Sequence, residues 1–564
     1  MRITSFVVFT AICYMLAGQI SLAAESDFPV DDFLRPRIDF WKKVYTEISI
    51  DEWFLHDMDD LSIIYGSVSV DHTLSPRMRT RILNEKKKDV QGQLKKIILN
   101  KGQNLSPALA ELFKKIEHVK NLDRLMYNIR TQQGMSDKFK RGIETSTKYL
   151  EKIENIIERE GLPREIMFLP HVESSFDYTA YSKVGAAGVW QFMRSTGRLY
   201  RLKQTYIIDE RRDPMLATEA AIHLLKYNYS KVQSWPLAVT AYNFGLMGIE
   251  RAVAATKTSS LSEIIKNYDG RRFGFASKNF YVSFIAAVEI AKNPEKYFKN
   301  LQMAPAIDFM QVALPKSLAM SQIGKVLELD MSTLREYNLS LRPIVFERDI
   351  ALPANFGLKV PRMSKEVLIA LDKKMSEAEE FKPISKKIFE PVIQKMENTS
   401  MVVPSAESAI TQTKFDDYIN SYNFNIVKVE QDLYKISVEI DETPGHYADW
   451  LVTQLATLSK LNGRSIRRIN LGETILLPIK DEKISSFNKQ RVEYHQSIIE
   501  DFFNNYRVAG SFDYKVRSGD SVSRIITKND IPMWLLRSYM KTGVQLSAGE
   551  VIKIPVIEEI SSKL

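Results

Sequence analysis

Three segments in the C-terminal half of the chain repeat one layout, and this repeat limits the folds that the chain can adopt. Each has a short alternating strand, a helical stretch with leucines and a closing apolar strand that ends in proline. The closing strands are Leu358-Lys359-Val360-Pro361, Ile475-Leu476-Leu477-Pro478 and Ile552-Lys553-Ile554-Pro555. In the second and third copies a glycine, Gly472 or Gly549, precedes that proline by six residues, where a turn must feed the last strand. We predict modules of one kind over residues 305–362, 432–480 and 512–557.

The length of 564 residues requires further domains before these modules, since single hydrophobic cores stop growing at about 250–300 residues. Residues 24–145 are predicted to form a helical extension, because apolar residues recur at helical spacing. These residues include Leu83, Val90, Leu94, Ile97 and Ile98. Residues 146–300 are predicted to be a compact helical domain with short Gly and Pro punctuation. Residues 380–425, rich in Lys, Ser, Thr and Glu, are typical of a flexible linker that carries the last two modules.

The first residues are typical of a secretory signal, predicted over residues 1–23. Arg2 supplies the positive start, an apolar run follows, and Ser21-Leu22-Ala23 offers small residues for cleavage. Export to the periplasm or cell envelope is therefore expected. An uncleaved membrane anchor is the alternative, although the run is shorter than the ~20 residues of a spanning helix. Cys13, the single cysteine, lies within this signal; lipidation there is a further alternative that the preceding Ile12 disfavours.

The net charge of +9 suits an anionic polymer or a membrane surface, and an ordinary solvated surface explains it equally well. Nucleic acid is not expected as a partner, because Lys and Arg are spread along the chain without a basic stripe interleaved with aromatic residues. The sequence also has no Cys/His cluster with zinc spacing and no phosphate-binding glycine loop. We therefore predict no metal and no cofactor.

The stretch from His171 to Met193 carries the strongest chemical signal. Glu173 closes an apolar helix and faces a glycine-rich turn, where burial can raise the pKa of a carboxyl group. A carboxylic acid that stays protonated near neutral pH can donate a proton to a glycosidic oxygen. Taken alone, such a glutamate is most often a solvated end residue, so the neighbouring residues decide its interpretation.

Those neighbours are small or neutral. Gly185-Ala186-Ala187-Gly188 allows close approach of backbone to a ligand, and the polar groups of Ser182 and Gln191 suit sugar hydroxyl and acetamido groups. Trp190 is expected in the core, with a sugar-facing wall as the alternative. Further on, Tyr242-Asn243 precedes a glycine turn and Tyr281 lies in an aromatic helical segment, although buried structural tyrosines explain most such cases. Asp177 is interpreted as a turn residue, and Asp209 and Asp213 as structural residues beside Arg211 and Arg212.

Four motifs in this region resemble the family 1 lytic transglycosylases. They are Glu173-Ser-x-Phe, Ala180-x-Ser182, Gly185-Ala-x-Gly-x-x-Gln191 and Ala241-Tyr-Asn-x-Gly245. Trp190-Gln191, residues 209–214 and the following modules are similar to the membrane-bound lytic murein transglycosylase D group. The resemblance covers residues 146–361 well, the last modules moderately and residues 30–145 poorly. It implies a mainly α chain, with a goose-type-lysozyme-like helical catalytic domain followed by small βααβ modules of the LysM type.

The resemblance implies cleavage of the β-1,4 bond between N-acetylmuramic acid and N-acetylglucosamine in peptidoglycan, with a 1,6-anhydromuramyl product. Glu173 would be the general acid and base, and Ser182 and Gln191 would position the glycan. Tyr242 and Asn243 would line the cleft and Tyr281 would steady the acid. Asp177 stands where many family members have Asn and Tyr178 replaces a common Pro, which puts the loop shape in doubt.

The modules are expected to bind glycans that contain N-acetylglucosamine, most clearly the third, with Ser518-Gly519-Asp520-Ser521 at its first turn. The middle copy has Asp441-Glu442-Thr443 there, and the first is more degenerate still. Two alternatives stay open: a muramidase in which water attacks, and a non-catalytic scaffold that binds peptidoglycan. The sequence leaves the choice between endo and exo cleavage and the oligomeric state open.

Overall fold

The computed structural model describes residues 27–270, 272–378, 418–419, 422–466, 468–540 and 546–560. The predicted signal, with Cys13, and nearly all of the predicted linker 380–425 lie outside these residues. Over the described part of the chain, no helix combines the length and the apolar character needed to cross a bilayer.

Helices dominate residues 136–300, which confirms the mainly α class. Their α-helices are Ser136–Ser146, Leu150–Arg159, Leu169–Glu173, Arg194–Leu199, Pro214–Val232, Trp235–Phe244, Leu246–Thr256, Leu261–Asn267 and Phe275–Ala291. Short 3-10 turns occupy Arg164–Phe168, Glu210–Arg212 and Pro294–Lys296. Phe275–Ala291 is buried on nearly all sides, so it forms the centre around which the other helices pack.

The longest of these helices shows how local sequence sets its bounds. Asp213 caps Pro214–Val232 by accepting hydrogen bonds from the backbone amides of Met215 and Leu216, at 3.0 and 3.2 Å. Proline at the first position loses no helical hydrogen bond there. Gln233 ends the helix in a left-handed conformation with φ of 48°. The predicted helix from Met215 to about Val232 is confirmed within one residue.

The N-terminal region is not the purely helical extension that the periodicity predicts. Strands Glu52–Asp57, Ile64–Ser69 and Ile129–Gln133 form an antiparallel sheet with the first strand in the centre. Helices Arg35–Thr46, Pro76–Leu99 and Pro107–Ile116 and the 3-10 turn Leu122–Tyr127 complete the region. The sheet escapes prediction because the short central strand, with four consecutive buried residues, lacks strict alternation. The predicted apolar stripe is correct, with Leu83, Val90, Leu94 and Ile97 buried.

The first helix belongs to the core of the following domain rather than to a separate extension. Ile38, Phe40 and Val44 are buried in the same hydrophobic cluster as the helices of residues 136–300. This contact explains why the region cannot be assigned from its own sequence, since its partner lies some 240 residues further along the chain.

Each predicted module has two outer strands that enclose helices. The first has strands Phe309–Ala313 and Gly357–Pro361 around helices Met320–Leu327, Met331–Tyr337 and Pro343–Glu347, followed by helix Lys365–Glu377. The middle one has strands Ile426–Glu430, Leu433–Ser437 and Thr474–Leu477 with helices Pro444–Trp450 and Leu455–Leu461. The third has strands Tyr506–Lys515 and Val551–Glu559 around helices Val522–Asn529 and Met533–Ser538. A helix of 20 residues, Ile484–Phe503, joins the last two modules.

The last two modules pack against the helical domain. This packing differs from the prediction that they are carried on a flexible linker. Asp501 in the joining helix is fully buried and binds three arginines, Arg194 and Arg212 of the helical domain and Arg342 of the first module. Two ion pairs nearer the surface also join the helical domain to these modules: Arg198–Asp449 at 2.9 Å and Lys183–Asp530 at 3.2 Å. Such contacts join residues hundreds of positions apart, so spacing along the chain gives no sign of them.

Candidate active site

Glu173 is the last residue of the short helix Leu169–Glu173, where the chain turns sharply. Ser175 and Phe176 both adopt left-handed conformations, with φ of 53° and 52°. The turn packs closely on helix Ser136–Ser146, because a side chain at Gly142 would collide with the Ser175 carbonyl. Two successive residues in this rarely populated region are the kind of strain found at functional sites. The turn fixes the end of the helix and therefore the direction of Glu173.

Burial governs the protonation of Glu173. The residue is half-buried at the cleft, and burial raises the pKa of its carboxyl group to about 8. No hydrogen-bond or ion-pair partner for this carboxyl group occurs within the described ranges. Glu173 is therefore mostly protonated at neutral pH and can act as an acid.

His171 supports the base of this site as an uncharged ring. It is fully buried and packs on Phe139 at 5.0 Å and on Phe176 at 4.5 Å between ring centroids. Burial lowers the pKa of His171 to about 3, so the ring is neutral at physiological pH. It therefore provides no positive charge to hold Glu173 ionised.

Glu173, Ser182 and Gln191 line one cleft of about 930 Å³. Most of its lining residues belong to the helical domain, and the others come from two further parts of the chain. The first module contributes Met331, Ser332, Arg335, Glu336 and Leu339, and the third-module end of the chain contributes Asn505, Tyr506 and Glu559. Three of the six predicted site residues thus meet in one cavity.

The polar groups of Ser182 and Gln191 shape the loop beside Glu173. The Ser182 hydroxyl accepts a hydrogen bond from the Ala186 amide at 2.9 Å, which closes a turn. The Gln191 amide nitrogen donates to the Gly188 carbonyl at 2.8 Å. Both residues lie at the cleft surface, yet part of their hydrogen-bonding capacity maintains the loop. Their predicted roles in positioning glycan stay predictions.

Gly188 is required by packing inside the protein rather than by a ligand. It has φ of 75°, and a side chain there would collide with the Arg211 carbonyl. Arg211 is buried and donates from Nη1 to the carbonyls of Gly185 and Phe192, at 2.7 and 2.8 Å. This arginine therefore fixes both ends of the glycine-rich loop.

The acidic residues beside Arg211 and Arg212 have structural roles, as predicted. Burial alone would raise the pKa of Asp209. The positive charge and hydrogen bonds of Arg211, together with the charges of Arg194 and Arg212, hold this pKa below its usual range. Asp213 caps a helix and also pairs with Lys359 of the first module. Asp177 accepts two hydrogen bonds from Thr179, as expected of a turn residue. Trp190 is fully buried and donates to the Thr218 hydroxyl, which places it in the core.

Tyr242, Asn243 and Tyr281 are placed outside the lining of this cleft. The Tyr242 hydroxyl donates to the Trp190 carbonyl at 2.8 Å, and burial, with a contribution from the Glu173 charge, raises its pKa. Asn243 is exposed and accepts from the Ser277 hydroxyl at 3.0 Å. The Tyr281 hydroxyl donates to the Pro29 carbonyl at 2.9 Å. The predicted contact of Tyr281 with the acid therefore stays a prediction.

Tyr45 is a neighbour of Glu173 that sequence reasoning missed. It stacks on Phe139 at 4.7 Å, and burial, with a contribution from the Glu173 charge, raises the pKa of its hydroxyl. A hydrogen bond joins that hydroxyl to Ser283. Tyr45 lies in the first helix, outside every recognised motif. The aromatic residues near it in the sequence indicate an ordinary core position, so the sequence gives no sign of its place beside Glu173.

A possible cation-binding group among the described residues lies away from the cleft. Asp51, Asp71 and His72 have ligand atoms close to one another at the exposed end of the N-terminal sheet. His72 already forms a hydrogen bond with Asp51 at 2.8 Å. Exposed acidic groups of this kind are common without an ion, and none of the three lines the Glu173 cleft.

Comparison with known proteins identifies the domain that carries Glu173. Residues 152–265 match the family described as the Transglycosylase SLT domain. Over 199 residues the chain is 30% identical to membrane-bound lytic murein transglycosylase D of Escherichia coli strain K12 and of Escherichia coli O6:H1. Each match covers 34% of this chain and 43% of the relative, so the chain spans less than half the length of these relatives.

A solved structure is also similar over part of the chain. It is an inactive mutant of the lytic transglycosylase Slt from Pseudomonas aeruginosa, 15% identical, with a TM-score of 0.22. The match covers 38% of this chain and 31% of that one. The SLT family match includes Glu173 and the whole loop from Ser182 to Gln191. The helical domain that carries Glu173 is therefore similar to the Transglycosylase SLT domain and, in part, to membrane-bound lytic murein transglycosylase D.

Proposed function

We propose that the chain is an exported enzyme that cleaves the glycan strands of peptidoglycan between N-acetylmuramic acid and N-acetylglucosamine. The observation that supports this proposal most directly is the raised pKa of Glu173, at about 8, inside a large cleft. A carboxylic acid protonated at neutral pH can donate its proton to the leaving glycosidic oxygen.

The proposed reaction needs one carboxyl group for two proton transfers. Glu173 protonates the glycosidic oxygen as the bond from that oxygen to C1 of the muramic acid breaks. The Glu173 carboxylate then accepts the proton of the C6 hydroxyl while the C6 oxygen forms a bond to C1. One product strand begins with N-acetylglucosamine, which keeps the glycosidic oxygen as a hydroxyl group. The other product strand ends in 1,6-anhydromuramic acid, and Glu173 is protonated again.

The other carboxylates at the cleft either bind a neighbouring side chain or lie on the opposite wall from Glu173. This favours a mechanism with one carboxyl group over the pair of carboxyl groups that most glycoside hydrolases use. Asp177 is bound to Thr179, and Glu336 forms an ion pair with Lys148. Glu559 belongs to the far wall, in the third module. A muramidase in which one of these activates water is the competing function.

The third module is proposed to hold the enzyme on the cell wall. Its first turn is open: Asp520 shapes it by accepting from the Arg517 amide and the Tyr514 hydroxyl, both at 2.8 Å. In the middle module the corresponding Glu442 is buried and paired with Arg491 and His495. The joining helix therefore occupies that turn of the middle module, which favours a structural role for this copy. A binding module raises the local concentration of enzyme on a polymer.

Mass spectrometry of digested sacculi tests reaction and residue together. The unmodified protein should release anhydromuramyl products, and Glu173→Gln should lose lysis by about 100- to 10,000-fold, the range typical of a general acid–base group. Glu165→Gln is a suitable control, because Glu165 lies in the same domain and pairs with Lys292 at the surface. Reducing muramic ends in place of anhydro ends would establish the muramidase. Equal lysis by Glu173→Gln would exclude Glu173 as the acid.

A further inference from the structure

One wall of the Glu173 cleft lies outside the SLT domain. Asn505 and Tyr506, at the start of the third module, and Glu559, at the end of its last strand, line the same cavity as Glu173. Tyr506 and Glu559 are register partners in the antiparallel sheet, so both lie at one end of the module. The Glu559 charge contributes, after burial, to raising the pKa of the Tyr506 hydroxyl. These residues form the third-module wall: Asn505, Tyr506 and Glu559.

Buried ion pairs anchor this wall close to the cleft. Asp501 lies five residues before Tyr506 and accepts from Arg194 at 2.7 Å and from Arg212 at 3.0 Å. Arg194 lies three residues after Gln191, the last residue of the loop that begins at Ser182. Asn505 extends the anchor, because its amide nitrogen donates to the Asp501 carbonyl at 2.8 Å. A carboxylate with no exposed side-chain surface and several cationic partners holds the two parts in a defined position.

The wall also contacts the turn that carries Ser182. The Tyr506 hydroxyl is buried and donates to the Tyr181 carbonyl at 2.7 Å, next to Ser182 in the chain. Tyr181 and Ala187 bracket that turn through an isolated bridge, and both belong to the hydrophobic core of the third module. The turn is therefore packed between the SLT domain and the third module.

We propose that the third-module wall is part of the substrate site. Tyr506 is a positioning residue for the Ser182 turn, and Glu559 accepts hydrogen bonds from hydroxyl or acetamido groups of the same glycan strand that Glu173 cleaves. Glu559 is exposed at the cleft, and no cation within the described ranges forms an ion pair with it. This inference rests on the proposed function and adds a specificity surface to it.

The first test compares two identical substitutions in the full chain. Tyr506→Phe removes the hydroxyl that contacts Tyr181, whereas Tyr434→Phe removes one that binds Asp481 in the middle module, away from the cleft. With isolated glycan strands as substrate, KM should rise about two- to tenfold for Tyr506→Phe, the size expected for one hydrogen bond. The values of kcat and the pH profile should stay unchanged, because Glu173 is not altered. Equal KM for the two variants would overturn the positioning role.

The second test uses surface residues whose replacement leaves the core intact. Glu559→Ala removes the acceptor at the cleft, and Glu558→Ala removes its neighbour, which pairs with Arg507 at 3.0 Å on the other face of the strand. KM should rise about two- to tenfold for Glu559→Ala only. The same KM for both variants would overturn the contact between Glu559 and glycan. Absence of anhydro product from the unmodified protein would instead overturn the proposed function itself.

Discussion

At the scale of single residues, the site depends on a carboxyl group kept neutral by its surroundings. Glu173 is close to two tyrosines, Tyr45 and Tyr242, whose hydroxyls are committed to Ser283 and the Trp190 carbonyl. His171, two residues earlier in the same helix, is uncharged. Among the described residues, none on this side compensates a negative charge, so the acid form is favoured until substrate binds.

The pH dependence of the proposed cleavage follows from that pKa. Because the acid must carry its proton, kcat/KM should be highest below pH 8 and fall about tenfold per pH unit above it. The decrease should be measured as initial rates of product release between pH 6 and 10. A rate that rises through pH 8 would show that the ionised carboxylate is the reactive form in the free enzyme.

The same pKa predicts how Glu173 affects stability. A carboxyl group whose pKa is about 8 when folded and roughly 4.3 when unfolded disfavours folding increasingly as pH rises between those values. Glu173→Gln should therefore raise the melting temperature at pH 9 and leave it unchanged near pH 4.

A control of opposite sign is available in Glu289. Burial alone would raise its pKa, but hydrogen bonds with Arg35 and Lys42 lower it. Its ion pairs stabilise the fold above the unfolded pKa and are lost as pH falls, so Glu289→Gln should lower the melting temperature at pH 9. If Glu173→Gln lowers the melting temperature at pH 9, as Glu289→Gln should, the pKa of Glu173 is not raised by burial.

At the scale of elements, local sequence signals predicted the helices better than they predicted the N-terminal sheet or the contacts between distant segments. Proline and Asp213 set the start of Pro214–Val232, and the motif around Glu173 marked the cleft loop. The strand Glu52–Asp57 was missed because its buried run is too short to distinguish strand from helix. Tyr45 and Tyr506 were missed for a different reason, since only the tertiary packing of distant segments brings them to the site.

The glycine-rich loop gives a prediction about one element. Gly188→Ala places a side chain at φ of 75° against the Arg211 carbonyl, whereas Gly161→Ala has φ of 69° and open space. Both should lose roughly 1–2 kcal/mol from the left-handed conformation. Gly188→Ala should lose about 1–3 kcal/mol more from the collision and should also reduce lysis. Urea unfolding of both variants measures the difference, and equal losses would show that the loop can move away from Arg211.

At the scale of the whole molecule, one buried residue joins three parts of the chain. Asp501 binds Arg194, Arg212 and Arg342, and burial alone would raise its pKa, but the charges of these three arginines hold it below its usual range. The helical domain, the first module and the joining helix therefore share a single carboxylate. We expect them to unfold together in the unmodified protein, because all three arginines share Asp501 as their nearest carboxylate, while Glu500 and Asp209 lie at 3.7 and 4.0 Å from Arg342 and Arg212.

Asp501→Asn tests this coupling. The substitution keeps the shape but leaves three cations without their common counter-charge, a change expected to cost about 3–5 kcal/mol for a buried pair. Calorimetry should show one main transition in the unmodified protein and two separated transitions in Asp501→Asn, with the C-terminal half melting first. Asp530→Asn, which removes the exposed pair with Lys183, should leave the single transition in place. A single transition at an unchanged temperature in Asp501→Asn would mean that the modules are held by their apolar contacts with Tyr181 and Ala187 instead.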